Sequence, residues 1–227
     1  VGSDQARKAA LRRTLLAARA AVPPDEAASA GRRLARRALE LPELAQARTV
    51  AAYVSVGREP GTRELLEALR ARGTAVLLPV LLTDGDLDWA EYGGPDALRR
   101  AGRGLLEPAG PRLGPAAVRA AEAVLLPGLA VDGRGLRLGR GGGSYDRVLA
   151  RLAGEGAPAA GGPAGGIRSG GVPAGGVPAG GVPAGGGPAL VVLLYDGEVL
   201  DHVPAEPHDR PVTAAVTPSA VHRFPRP

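Results

Sequence analysis

Between Val124 and Leu152 the chain reads VLLPGLAVDGRGLRLGRGGGSYDRVLARL, and few folds accommodate such a stretch. The apolar run Val124–Leu126 stops at Pro127, which predicts the C-terminal end of a buried strand. Turn-forming pairs follow, Asp132-Gly133 and Arg134-Gly135. After Leu138 come Gly139-Arg140-Gly141-Gly142-Gly143, and then Val148, Leu149 and Leu152 fall at helical spacing, with Arg151 read as solvated. A strand, a glycine loop and a helix N-terminus together aim backbone N–H groups at an anion. Arg140 adds a planar positive fork suited to phosphate. Asp146, in the first helical turn, is placed to hold Mg²⁺ beside phosphates. No Gly-Lys-Ser/Thr occurs, so the loop is not a P-loop, and Gly139-x-Gly141 continues to Ser144 rather than to the last glycine of a dinucleotide fingerprint. A glycine-rich turn that merely starts a helix is the plain alternative.

The rest of the chain supplies partners for that strand. Asp4 is expected to cap a helix to about Ala21, which Val22-Pro23-Pro24 stops. Lys8 and Arg12 share one face of it, while Arg13 and Arg19 are expected to face solvent. Asp25 is expected to cap a second helix to about Leu41, with Leu34 and Ala38 on its apolar face and Arg32, Arg33, Arg36 and Arg37 opposite. Thr49–Val56 reads as a strand, 62–72 as a helix and Ala75–Val80 as the next strand, a βαβ unit. Ligands of such sheets gather beyond the carboxyl ends of strands, where Glu59 and the glycine loop both lie. Leu87–Tyr92 alternates as a half-buried strand, and Pro95–Ala101 and Pro115–Ala121 read as short helical pieces. Ala189–Tyr195 is a strand, Asp196-Gly197 a hairpin-like turn, Glu198–Val203 its return, and Val212–Val216 a last strand.

Residues 154–188 differ in kind. Val-Pro-Ala-Gly-Gly runs three times in tandem from Val172 to Gly186, and this composition predicts a disordered insertion inside one domain, 1–227. With no cysteine, disulfides and thiolate chemistry are excluded. No apolar segment has the length of a membrane span or of a signal peptide's core, so a soluble cytoplasmic protein is expected. The net charge of +5 raises RNA binding as a reading. Aromatics make up only 3%, too few to interleave with the arginines for base stacking, which favours a small anionic substrate and no nucleic-acid partner. Lys8 is the only lysine among 28 basic residues, and a compact ammonium can touch a phosphate oxygen as a point charge.

These residues, in this order, resemble the 5-formyltetrahydrofolate cyclo-ligase (methenyltetrahydrofolate synthetase) family. The resemblance rests on Lys8-x-x-x-Arg12, Tyr53–Thr62 with Glu59, Glu107-Pro108, Pro127–Asp132, Arg137–Arg147, Pro204 and His208-Asp209. The Arg-Leu-Gly-Arg-Gly-x-Gly core followed by Tyr-Asp is its most specific part. It implies a three-layer, Rossmann-like α/β fold, a mostly parallel sheet with helices on both faces. It also implies a monomer that cyclises 5-formyltetrahydrofolate to 5,10-methenyltetrahydrofolate with ATP as co-substrate and Mg²⁺ as cofactor. Carried over by position, Lys8, Arg12, Arg137, Leu138, Gly139, Arg140, Gly141, Gly142, Gly143, Ser144 and Tyr145 bind ATP. Glu59 and Tyr145 bind folate, Asp146 and Asp209 hold the metal, and Arg140 and Glu59 are the catalytic pair. Two positions depart from the family pattern. Ser144 stands where members carry the first of two tyrosines, and Thr213 stands at the usual second acidic position after Asp209. The Ser144 change keeps a non-catalytic nucleotide- or anion-binding protein on the same fold as the alternative.

Overall fold

The computed structural model describes residues 2–154, 187–207 and 209–225. The Val-Pro-Ala-Gly-Gly repeats, and all but the edges of the expected 154–188 insertion, lie outside them, as does His208. Two long helices come first, α1 (Gly2–Ala21) and α2 (Pro24–Leu39), then a single turn, α3 (Pro42–Ala45). Asp4 and Asp25 lie in first turns rather than at caps, and Pro23-Pro24 opens α2, since proline is pre-set for a first helical position. Leu41 is not the end of α2 but the extended residue before Pro42, which starts α3.

The next elements are β1 (Thr49–Ala51), α4 (Arg63–Ala71), β2 (Ala75–Leu81), β3 (Leu87–Glu91), β4 (Leu98–Arg100), β5 (Leu106–Pro108), β6 (Ala123–Pro127), β7 (Ala130–Asp132), β8 (Arg137–Leu138) and α5 (Ser144–Leu152). The last are β9 (Ala189–Leu193), β10 (Val199–Leu200), β11 (Ala214–Val216) and β12 (Val221–Arg223). Among the described residues the main sheet runs β12-β11-β9-β6-β1-β2-β3. It is parallel from β11 to β2, with one antiparallel strand at each edge.

Strand period two sorts its core. Val50, Val76, Leu78, Ala123, Leu125 and Val191 face α2, α3 and α4 through Leu34, Leu44, Leu65 and Leu69. Ala51, Leu77, Val124, Leu126 and Val192 face the other way, onto Val148 and Leu149 of α5 and Val118. Helices therefore cover both faces, as the resemblance implied. A smaller sheet, β10-β7-β8, receives α1 through Leu15 and the half-buried Leu11, packed with Leu129, Ala130, Leu138 and Val203.

Three expectations fail for local reasons. Pro95–Ala97 makes one 3₁₀ turn only, because 98–100 pair with 106–108 instead of extending a short helix. Residues 198–203 do not return along β9: Asp196–Glu198 form a 3₁₀ turn, and β10 pairs in parallel with β7. Arg151, read as solvated, is mostly buried against Asp86 at 2.6 Å.

Asp132 ties the small sheet together. Fully buried, it accepts backbone N–H groups of Arg134 at 3.0 Å, Leu136 at 3.2 Å and Val203 at 3.0 Å, and the Arg134 guanidinium at 2.6 Å. Burial alone would raise its pKa, but these donors outweigh burial and hold it below the ordinary 3.8. A depressed carboxylate pKa gives stability that is present above the ordinary value and lost as pH falls through the lowered one. Asp86 is depressed too: burial opposes its charge, and Arg151 and the Leu87 N–H outweigh it. The urea midpoint is therefore expected to be level above about pH 5 and to fall below about pH 4. Asp132→Asn, with no charge and fewer acceptor sites, is expected to cost about 2 kcal/mol at neutral pH and to flatten that acid limb. An acid limb of unchanged steepness in Asp132→Asn would show that the carboxylate does not hold this junction.

Candidate active site

One cavity of about 690 Å³ opens where β1, β2 and β6 end. The chain continues past β1 through Tyr53, Val54 and Val56 to Glu59, and these line one wall. Pro79 and Leu81 of β2, with Leu87, Leu105 and Leu106, form an apolar side. Pro127-Gly128 and the run from Arg137 to Asp146 close the opposite side, with Lys8 and Arg12 reaching in from α1. The residues to which the resemblance gave a site role, Lys8, Arg12, Glu59, Arg137–Asp146 and Asp209, all line this one cavity.

The glycine loop is shaped by what approaches it. Gly143, in the left-handed region at φ 76°, is the N-cap of α5, and no side chain caps that helix. The N-terminus of α5 thus opens on the cavity, an arrangement that favours an anion. A Cβ at Gly141 would stand 3.3 Å from the Arg12 guanidinium carbon, so glycine lets Arg12 lie against the loop. Arg12 Nε donates to the Gly139 carbonyl at 2.9 Å, which fixes the loop to α1.

The cations of the cavity are matched inside the protein. Lys8 Nζ donates to Glu206 Oε2 and Asp209 Oδ2, each at 2.7 Å. Burial works against its charge, but the two carboxylates outweigh that and raise its pKa above the ordinary value. Arg137 is held from two sides, Nη1 donating to the Pro127 carbonyl at 2.9 Å and Nη2 to Asp146 Oδ1 at 3.2 Å. Its Nε is buried without a hydrogen-bond partner, and burial lowers its pKa. Arg140 Nε lies 3.1 Å from Glu59 Oε1, and the other Glu59 oxygen accepts the Val56 N–H at 2.9 Å. Tyr145 and Tyr53 line the same space, and burial, with Glu59 nearby, pushes both phenols up.

Four features add to the reading of the sequence or depart from it. Glu206, which no motif marked, shares Lys8 with Asp209. Asp146 and Asp209 each contact a cation of the protein, Arg137 and Lys8, and among the described residues no group of three or more metal-ligating side chains is assembled. Thr213 stands just before β11 and is tied to β9: its hydroxyl accepts the Leu190 N–H and donates to the Leu190 carbonyl, both at 2.9 Å. Arg19, expected at the surface, is 2% exposed and lies behind the cavity wall. Its place could have been found, because 8, 12, 15 and 19 fall on one helical face.

An open, mostly parallel sheet with a cleft at its carboxyl edge, rimmed by arginines and a glycine loop, defines an α/β protein whose cleft has the shape and charge that suit a small anionic ligand. Residues 4–161 match the 5-formyltetrahydrofolate cyclo-ligase family, and the chain belongs to that family of ligases. It is 36% identical to the 5-formyltetrahydrofolate cyclo-ligase of Mycolicibacterium smegmatis over 216 residues, 93% of each chain. With the enzyme of that name from Escherichia coli K12 the identity is 32% over 133 residues, 58% of this chain and 73% of the other. The fold matches 5,10-methenyltetrahydrofolate synthetase of Aquifex aeolicus with TM-score 0.71 at 23% identity, over 97% of this chain and 94% of that one. The synthetase of Mycoplasma pneumoniae matches with TM-score 0.62 at 17% identity, over 93% and 98%. No described helix is long and apolar enough to cross a membrane.

Proposed function

We propose that the chain closes the ring of 5-formyltetrahydrofolate at the expense of ATP, through a phosphorylated formyl oxygen. The formyl oxygen attacks the γ-phosphorus, and the bond to the leaving ADP breaks. N10 then attacks the activated carbon and sheds its proton, and phosphate departs as 5,10-methenyltetrahydrofolate forms. A formamide oxygen leaves poorly and a phosphate leaves well. Catalysis of the first step is mainly positioning and charge neutralisation.

The observation that carries this reading is the Arg140–Glu59 contact at 3.1 Å, which joins the phosphate-type loop to the loop beyond β1 in one cavity. Lys8, Arg12, Arg137, Arg140 and the Gly139–Gly143 backbone are assigned to the phosphates, with Leu138, Ser144 and Tyr145 on the same loop. Glu59 and Tyr145 are assigned to the folate near its formyl group. Magnesium takes one or two carboxylates and fills its shell from phosphate and water, so a sparse carboxylate set fits an ion that arrives on a nucleotide. Asp146 and Asp209 would hold it, and when bound it supplies neutralisation of phosphate charge.

The test is the absorbance of methenyltetrahydrofolate formed from 5-formyltetrahydrofolate with ATP and Mg²⁺, each omitted in turn. Product is expected only when both are present; none from folded, saturated protein overturns the reading in favour of an anion-binding protein. Asp146→Asn is expected to raise the Mg²⁺ concentration for half-maximal rate severalfold, with a melting temperature close to wild type. A first-turn carboxylate is worth only about 0.3–1 kcal/mol to its helix. An unchanged Mg²⁺ dependence would place the metal elsewhere.

A further inference from the structure

Arg19 stands behind the cavity, in a cluster that no step of the proposed reaction uses. Its Nε donates to Glu198 Oε1 at 2.6 Å and its Nη2 to Glu198 Oε2 at 2.8 Å, a bidentate pair. Nη2 also donates to the Gly128 carbonyl at 2.6 Å, and the guanidinium lies 5.7 Å from the centroid of the Tyr195 ring. Glu198 is itself fixed, accepting the Tyr195 N–H at 2.8 Å. Gly128 belongs to the turn after β6 and lines the cavity. A Cβ there would sit 2.6 Å from Val192 Cγ2, so only glycine lets this turn lie so close to β9. Arg137 grips the preceding residue of the same turn through the Pro127 carbonyl.

Helix α1 carries the consequence. Lys8, Arg12, Leu15 and Arg19 are spaced four, three and four, so one face presents two cavity cations at its start and the buried arginine near its end. The apolar seat of that face is small, with Leu15 and half-buried Leu11 on a single cluster, while Leu16 is exposed. Eleven residues of helix separate Arg19 from Lys8, about 16 Å, so a tilt of about 10° at Arg19 would move Lys8 by about 3 Å. Phosphate contacts tolerate far less, since a displacement of about 1 Å can cost about a hundredfold.

We propose that Arg19 is a positioning residue for the nucleotide subsite. By locking α1 to Glu198 and to the Gly128 carbonyl, it sets where Lys8 and Arg12 meet the glycine loop. This rests on the reading of Lys8 and Arg12 as nucleotide-binding residues. The pair is an orientation device: the buried fork fixes direction as well as distance, which apolar contact alone does not.

The test is titration of the full chain with ADP and Mg²⁺ by calorimetry, beside the melting temperature and the KM for 5-formyltetrahydrofolate. Arg19→Met alone leaves Glu198 buried without its partner and can prevent folding. Arg19→Met combined with Glu198→Gln removes both charges and keeps an acceptor for the Tyr195 N–H. This paired variant is expected to melt within a few degrees of wild type. Its dissociation constant for ADP should rise at least tenfold, while the KM for the formyl substrate stays within about threefold, because the geometric error grows along α1 toward Lys8. A folded paired variant that binds ADP as wild type does overturns this inference alone. Equal loss of both affinities together with a lower melting temperature also overturns it, since that is the signature of a merely structural pair. A wild-type chain that binds no ADP overturns the reading of the cavity, and this inference with it.

Discussion

Lys8→Met is expected to lower stability and nucleotide affinity together. Lys8 is 5% exposed, and its ammonium is bonded to two carboxylates at 2.7 Å. Removing it leaves Glu206 and Asp209 facing each other with the charge between them gone. Breaking a buried pair costs about 3–5 kcal/mol; the two acids keep some contact with water, so a smaller cost of about 2–3 kcal/mol is expected. The same ammonium is assigned to a phosphate oxygen, and a hydrogen bond to a charged group is worth about 1.5–3 kcal/mol, or about 10–150-fold in affinity. Lys8→Arg keeps the charge but replaces a point donor with a wide fork, so it should restore stability better than affinity. Urea midpoints and ADP titrations read the two effects separately. If Lys8→Met keeps wild-type ADP affinity, the ammonium serves only the 204–211 loop. Because the lysine pKa is raised, the ammonium keeps its charge as pH rises from neutral to the ordinary lysine value, and this requirement should persist over that range.

What the sequence made legible was local. The strand, glycine loop and helix from Ala123 to Leu152 announce themselves within thirty residues, and so does the βαβ unit from Thr49 to Leu81. The βαβ topology already put Glu59 beside the glycine loop, whereas Lys8, Arg12 and Asp209 have no local signal strong enough alone, and their convergence on the same cavity was legible only through the family pattern. Pairings between distant short pieces stayed hidden. β10 pairs two residues with β7, and β12 adds three at an edge, too few for any period to register. The burial of Arg19 depends on Glu198, 179 residues away. Composition argued against it too, since arginine on an arginine-rich helix is ordinarily solvated. Glu206 was missed for the opposite reason: a lone glutamate between prolines reads as loop surface until Lys8 arrives from the other end of the chain.

Arg140→Ala is expected to reduce kcat/KM by more than the loss of one phosphate contact would. That contact alone is worth about 1.5–3 kcal/mol, or about 10–150-fold. Arg140 has a second partner, however. Its Nε lies 3.1 Å from Glu59, whose side chain is 9% exposed while that of Arg140 is 50% exposed. Taking the arginine away leaves a nearly buried carboxylate uncompensated beside the site assigned to the formyl group. Glu59→Gln should also impair the reaction, through the folate and not the nucleotide. The two changes are then coupled. In Arg140→Ala with Glu59→Gln no charge is stranded, so the loss should fall short of the sum of the single losses by about 0.5–3 kcal/mol. Arg13, exposed on α1 with no hydrogen bond or ion pair among the described residues, provides the control, and Arg13→Ala should stay within about twofold of wild type. A strictly additive cycle would mean that the Arg140–Glu59 contact has no part in the reaction. Strong coupling, with Arg140→Ala acting on the KM for ATP and Glu59→Gln on the KM for 5-formyltetrahydrofolate, is the result that the ion pair between the two loops requires.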